Sequence, residues 1–264
     1  MLKVENVSKT FFPNSVNEKR AIVDICLKLQ EGDFATVIGG NGAGKSTLLN
    51  SIAGVYPVDS GSIYVDDINL TKMPEYKRAK YLGRVFQDPM LGTAANMWIE
   101  ENLAVAFRRG KTRTLRWGIT NSEREHYKSI LAPLNLGLEK RLSLKAGLLS
   151  GGQRQALTLI MATLQKPKLL LLDEHTAALD PKTAATVLEL TRTLIAEHNL
   201  TTLMITHNMK DALKMGNRLM MMNNGKIILD VSGEGKKNLT VKDLMEFFGN
   251  AVSEEMMNDR MLLA

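Results

Sequence analysis

The sequence predicts an α/β fold built on a parallel sheet, with strands dominating the first third and a helical insertion near the middle. Three observations carry that prediction. An apolar run from Phe34 to Ile38 leads straight into a glycine-rich loop, Gly39 to Thr47. A strand–helix–strand order runs from Lys168 to Thr206. Between residues 88 and 149 the hydrophobic period changes from that of strands to that of helices.

Alternation over residues 23–29 places Val23, Ile25, Leu27 and Leu29 on one face of a strand. Strands over 34–38 and 62–65 follow, punctuated by Glu31-Gly32-Asp33 and by residues 57–61. Inside the insertion, Ile99, Leu103, Ala106 and Phe107 recur at helical spacing, and Ser122 with Glu125 has the pattern of a capping box opening another helix. Next come a helix over 152–165, a buried strand over 168–172, a helix over 181–198 and a strand over 202–206, an order that implies parallel pairing. Residues 218–222 and 226–231 flank Asn223-Asn224-Gly225, a tight-hairpin signal. An amphipathic helix over about 240–248 precedes a Met-rich tail, 250–264.

Of the 264 residues, 44% are hydrophobic and 23% charged, the balance of a compact globular chain rather than a disordered or coiled-coil one. The single cysteine, Cys26, can form no internal disulfide, which fits a reducing compartment. The start, Met1-Leu2-Lys3-Val4-Glu5, lacks an apolar stretch of signal-peptide length, and no apolar run is long enough to span a bilayer. The expectation is a chain that is neither exported nor membrane-spanning. A net charge of +6 and a pI near 9.3 suit phosphate-bearing ligands, anionic lipid or nucleic acid without choosing among them. The densest basic run, Arg108, Arg109, Lys111, Arg113 and Arg116 with Trp117, reads as a solvated loop or as a contact with lipid headgroups or a partner. No nucleic-acid module surrounds it, so no nucleic-acid partner is expected.

The segment Gly39-Gly40-Asn41-Gly42-Ala43-Gly44-Lys45-Ser46-Thr47 fits GxxxxGK[ST] and follows a strand, as a phosphate-cradling loop requires. Its glycines let backbone amides turn inward, and a helix starting there adds the positive end of a dipole. Lys45 is expected to reach the outer phosphates and Ser46 to offer its hydroxyl to Mg²⁺, so the expected ligand is a nucleotide with its Mg²⁺. A guanine-reading NKxD is missing: in the nearest string, Asn208-Met209-Lys210-Asp211, the lysine stands one place too late.

Further strings lie downstream in a fixed order. They are Gln87 after Val85-Phe86, then Leu149-Ser150-Gly151-Gly152-Gln153-Arg154-Gln155, then Leu169 to Leu172 ending in Asp173-Glu174, then Asp180, then His207. With the loop they make residues 1 to about 232 resemble the ATP-binding-cassette (ABC) ATPases, whose LSGGQ signature is the most specific match. The resemblance implies an α/β P-loop NTPase (RecA-like) core with a mixed sheet over 1–87 and 150–232, an N-terminal antiparallel β subdomain within it, an inserted α-helical subdomain over 88–149, and a C-terminal helix and tail over 233–264. It implies that Asp173 associates with Mg²⁺, that Glu174 orients or deprotonates the attacking water, and that Gln87 touches Mg²⁺ or water while tying nucleotide state to the helical subdomain. By the same resemblance His207 senses the γ-phosphate and Asp180 lies in a loop crossing a dimer seam. Ser150, Gly151, Gly152 and Gln153 would close over the ATP of a second subunit, and Phe11 would stack on adenine, with Phe12 as an alternative. Taken alone, the acidic pair could be strand-end solvation, His207 a structural residue and Phe11 core packing.

The implied assembly is a homodimer around two Mg-ATP. It would sit peripherally on the cytoplasmic face of the membrane and drive separate integral permease subunits, with an extracytoplasmic substrate-binding protein in the full system. Residues 10–18 and 85–92 look like those of ATPases from bacterial uptake systems for tryptophan or similar amino acids; an exporter ATPase and a soluble, non-transport member of the family are the alternatives. One departure is chemical. Where the family most often writes proline after the glutamate, this chain has His175, and a titratable ring beside Glu174 predicts a pH dependence of hydrolysis near neutrality. Ala177 replaces a common serine, a change expected to matter little.

Overall fold

A computed structural model describes residues 1–111 and 118–249. Arg113, Arg116 and Trp117 of the basic run, and the tail from residue 250, lie outside the described residues. The chain divides into two compact units, Met1–Lys72 with Leu203–Ala264, and Met73–Thr202.

The first unit begins with β1 (Leu2–Phe11), β2 (Lys19–Leu29), β3 (Phe34–Gly39), α1 (Lys45–Ala53), β4 (Ser60–Val65) and β5 (Ile68–Asn69). The second contains α2 (Glu75–Arg78), β6 (Leu82–Val85), α3 (Ile99–Phe107), α4 (Asn121–Leu131), α5 (Gly151–Thr163), β7 (Leu169–Asp173) and α6 (Pro181–His198). The chain then continues through β8 (Thr202–Ile205), α7 (Met209–Lys214), β9 (Arg218–Asn223), β10 (Lys226–Ser232) and α8 (Glu234–Lys237) into α9, residues 241–249.

Strands β2, β1, β4 and β5 form an antiparallel sheet in that order. The periodicity of β1 changes phase partway: Leu2 and Val4 are buried, and so is Val7, because Asn6 sits at φ 48 and the register shifts between Val4 and Val7. Gly61 lies against this irregularity at φ +84, where a Cβ would fall 2.3 Å from the Glu5 carbonyl oxygen. In the same unit β3 runs parallel to β9, and β9 antiparallel to β10, which makes the second sheet mixed. The Asn224-Gly225 turn joins β9 to β10 with both residues at positive φ. Leu244 of α9 is fully buried with Ile38, Ala212, Leu219 and Met221, so this helix closes the core beside β3.

In the second unit β6 pairs in parallel with β7, and α5 packs on α3, α6 and β6. The four consecutive leucines of β7, Leu169 to Leu172, are all buried, the mark of a parallel strand covered on both faces. Helix α6 has the bounds its sequence signals: Asp180 caps it by accepting from the Thr183 amide, Pro181 occupies the first turn, and Asn199 ends it at φ 47. The capping box of α4 differs from expectation. Thr120, not Ser122, accepts from the Glu123 amide at 3.2 Å, and Glu123 returns a bond from the Thr120 amide at 2.8 Å, while Ser122 and Glu125 already lie inside the helix. Both pairs have the same spacing, and Thr120 holds the extended backbone that a cap needs.

Candidate functional site

The phosphate loop is shaped by backbone that only glycine tolerates. Gly39, Gly42 and Gly44 have φ values of 153°, 80° and 98°. A Cβ on Gly39 would fall 2.2 Å from the Met222 carbonyl oxygen, and one on Gly44 would fall 2.3 Å from that of Ala21. The loop therefore lies flush against β9 and β2. It is stitched there by the hairpin turn: the Gly225 amide donates to Ala43 O at 3.0 Å, and Gly225 O accepts from the Val23 amide at 2.9 Å.

Lys45 is buried at the start of α1, and its Nζ donates to Gly39 O and Gly40 O, each at 2.9 Å. The ammonium is thus held across the mouth of the loop. Asn41, Gly42 and Ser46 are exposed there, Thr47 is half-buried and Ala43 is buried. Lys19 adds a second cation, its Nζ 3.3 Å from where a Cβ on Gly42 would stand. Sequence reasoning did not single out Lys19, which reaches the loop only because β2 packs on α1. Phe248 of α9 was missed for a similar reason: its ring covers Gly40.

Phe11, at the end of β1, is half-buried and meets Tyr56 edge to face, with centroids 5.2 Å apart. Phe12 is 68% exposed at φ 51. His207 lies exposed between β8 and α7, just after Thr206, whose amide donates to Val37 O at 3.1 Å. The first unit thus carries the loop, Phe11 and His207.

The second unit carries the other named residues. Ser150 caps α5 in a full capping box: the Gln153 amide donates to Ser150 Oγ at 3.3 Å, and the Ser150 amide to Gln153 Oε1 at 3.2 Å. The serine hydroxyl proton is not used in that arrangement and remains available to an acceptor. Gly152 faces α6 so closely that a Cβ would fall 2.1 Å from Thr183 Cγ2. Gly151 is exposed beside it. Asp180 is exposed, and the hydrogen bonds from Thr183 hold its carboxyl below the usual carboxylate range.

At the end of β7, Asp173 and Glu174 are half-buried. Arg84 of β6 stands 3.9 Å from Asp173 Oδ2 and lies over the Phe86 ring at 4.4 Å. Phe86 O in turn accepts from Gln155 Nε2 at 3.0 Å, so α5 anchors the segment that presents Gln87, which is exposed. Glu174 has φ 44, in the left-handed region that costs a non-glycine residue.

His175 corrects the sequence reading. It is 1% exposed, and burial lowers its pKa to about 4, so the ring is neutral throughout the physiological range and gives hydrolysis no titration near neutrality.

Among the described residues no group of three or more histidines, cysteines and carboxylates could hold a metal, and no helix is long and apolar enough to cross a membrane.

The sequence profile of the family described as ABC transporter matches residues 22–177, from β2 through the turn after β7. The chain belongs to the ABC transporter family. A tyrosine transport ATP-binding protein of Clostridioides difficile is 47% identical over 253 residues, covering 96% of this chain and 100% of that protein. The energy-coupling factor transporter ATP-binding protein EcfA2 of Clostridium tetani is 34% identical, covering 96% and 85%. The ATP-binding cassette MJ1267 in its ADP conformation superposes with a TM-score of 0.76 at 29% identity, over 94% of this chain and 98% of that one. A dimeric post-hydrolysis state of the cassette MJ0796, bound to ADP and Pi, gives 0.73 at 27%, over 88% and 98%. The P-loop α/β fold with its mixed sheet is that of these cassettes, and this ABC transporter ATPase subunit binds and hydrolyses ATP.

Proposed function

We propose that this subunit dimerises around two Mg-ATP and powers a separate membrane permease that imports an aromatic amino acid. The observation that carries the dimer is the exposed start of α5. Ser150 and Gly151 stand at a capped helix N-terminus, suited to an anion, with a serine proton to spare. A signature of this kind serves the triphosphate of a second copy, and the dimeric MJ0796 state supports that arrangement. The substrate class rests on the relative named for tyrosine transport, and relatives named for spermidine/putrescine import and methionine import support import over export.

In this reading residues 39–47 bind the triphosphate, Lys45 neutralises its outer oxygens, and Phe11 stacks on adenine. Glu174 orients the water that attacks the γ-phosphorus as the bond to the bridging oxygen breaks, releasing ADP and inorganic phosphate. His207 bonds the γ-phosphate, and Asp180 lies at the seam. The hydroxyl of Ser46, the carboxylate of Asp173 and the amide oxygen of Gln87 are oxygen donors of the kind Mg²⁺ takes, and the ion, when bound, would offset charge building on the phosphates. ATP contributes contacts to the closed dimer alone, and that difference moves the attached permease. Exposed Met90, Leu91, Trp98 and Leu148 in the unit that presents Gln87 supply an apolar face for it. The arrangement would sit at the cytoplasmic face of the membrane and receive cargo through an extracytoplasmic binding protein.

Uptake of labelled tyrosine, tryptophan and phenylalanine into cells carrying this subunit and its cognate permease tests the reading. ATP-dependent uptake that Glu174→Gln abolishes is the expected result. Substrate leaving the cell, or no aromatic amino acid transported, would refute import of this class.

A further inference from the structure

His175 is a buried histidine that the reaction above does not use. Its Nε2 lies 3.0 Å from Thr191 Oγ1, in the middle of α6. Thr191 donates its own proton to Val187 O at 2.7 Å. A hydroxyl has one proton, so Thr191 must accept from the ring, and His175 carries its proton on Nε2. Nδ1 is buried and finds no partner among the described residues. A buried ring nitrogen left without a partner is costly, and the bond from Nε2 to Thr191 is the polar contact that ties the ring to α6.

The backbone around the ring explains what the bond secures. Glu174 precedes it at φ 44, a strained conformation for glutamate, and the Ala177 amide closes a turn onto Glu174 O at 2.9 Å. Such strain persists only where the surroundings over-determine it. The imidazole supplies that constraint by reaching from the turn to a helix. A proline at this position would stiffen the turn through its own φ and make no side-chain bond to α6.

We propose that His175 is a positioning residue for ATP hydrolysis: its hydrogen bond to Thr191 pins the strained turn at Glu174 to α6 and thereby aims the Glu174 carboxylate. This rests on the role proposed above for Glu174. The bond ends on the helix that Asp180 caps, so the aim of Glu174 is fixed to the same element as the residue assigned to the dimer seam.

Steady-state hydrolysis by the purified full-length chain, with Mg-ATP, tests the inference. His175→Phe and Thr191→Val each keep the packing but remove the bond, and each is expected to lower kcat about tenfold, with KM for ATP changed by less than about twofold. His175→Gln, whose amide nitrogen reaches the place of Nε2, is expected to restore most of kcat. His175→Asn, which reaches only the place of Nδ1, is not. A His175→Phe protein with wild-type kcat, or glutamine and asparagine variants that behave alike, would overturn the proposal. Glu174→Gln measured alongside separates the two readings. A Glu174→Gln protein as fast as wild type removes Glu174 from its role and the inference with it, whereas an inactive Glu174→Gln beside a fully active His175→Phe overturns the inference alone.

Discussion

The ring of Phe248 covers Gly40, with Cζ 3.1 Å from where a Cβ on the glycine would stand. A residue of the last described helix therefore touches the phosphate loop directly. Gly40 lacks the positive φ of its neighbours, so alanine fits its backbone and meets only the ring. Gly40→Ala and Phe248→Ala are expected to be non-additive, with a coupling of about 0.5–1 kcal/mol in a thermal or urea unfolding cycle. Strict additivity would mean that the ring does not constrain the loop.

Gly152 and Thr183 make a second close pair, and here the neighbour is β-branched and stiff. Gly152→Ala is expected to push α5 from α6 and cut ATPase turnover by at least about tenfold. Adding Thr183→Ser removes the methyl at 2.1 Å and should recover part of the loss. Turnover of the double variant no better than that of the single would show that the contact is not the cause.

Glu174→Gln keeps shape and removes the negative charge. It is expected to bind ATP normally while turnover falls by about a hundredfold or more, and Lys45→Ala to lose nucleotide affinity instead. Equilibrium binding of a fluorescent ATP analogue, set beside phosphate release, distinguishes these two kinds of defect.

His175 is neutral near pH 7, so the shape of the rate profile between about pH 6 and 8 should be the same for His175→Gln and wild type, whatever their absolute rates. A limb near pH 6.5 that disappears with the substitution would contradict the buried, neutral ring.

Lys236 is 4% exposed; burial lowers its pKa to about 8, although its ammonium donates to the carbonyls of Met215, Gly216 and Arg218. Between about 8 and the ordinary 10.5 the unfolded chain holds a proton that the folded chain has released, so stability rises with pH across that window. Wild type minus Lys236→Met, compared by denaturant unfolding from pH 8 to 10, should rise by up to about 1.4 kcal/mol per unit. A flat difference would show that the carbonyls fully offset the burial.

Elements decided by local chemistry were legible in the sequence. The apolar strand running into Gly39 and the Asn224-Gly225 hairpin each depend on a few adjacent residues, and each was read from them. Strand β1 was not, because Asn6 turns the chain out of phase and alternation fails within the strand. The α4 cap was misplaced because two pairs of identical spacing competed and only backbone geometry separates them. Within the candidate site, the loop and signature were recognisable as strings. The covering of Gly40 by Phe248, the reach of Lys19 and the burial of His175 all depend on packing between residues distant in the chain, and no local pattern encodes them.

Gly225 bonds β2 through its carbonyl and the loop through its amide, which makes the β9–β10 turn the keystone of the nucleotide cradle. A side chain at this position would carry φ +76 and press on Ala21 O at 3.0 Å, wedging apart the strand and loop that it now joins. Changes at this hairpin tip should therefore register as weakened triphosphate binding, even though no atom of the turn belongs to the loop itself.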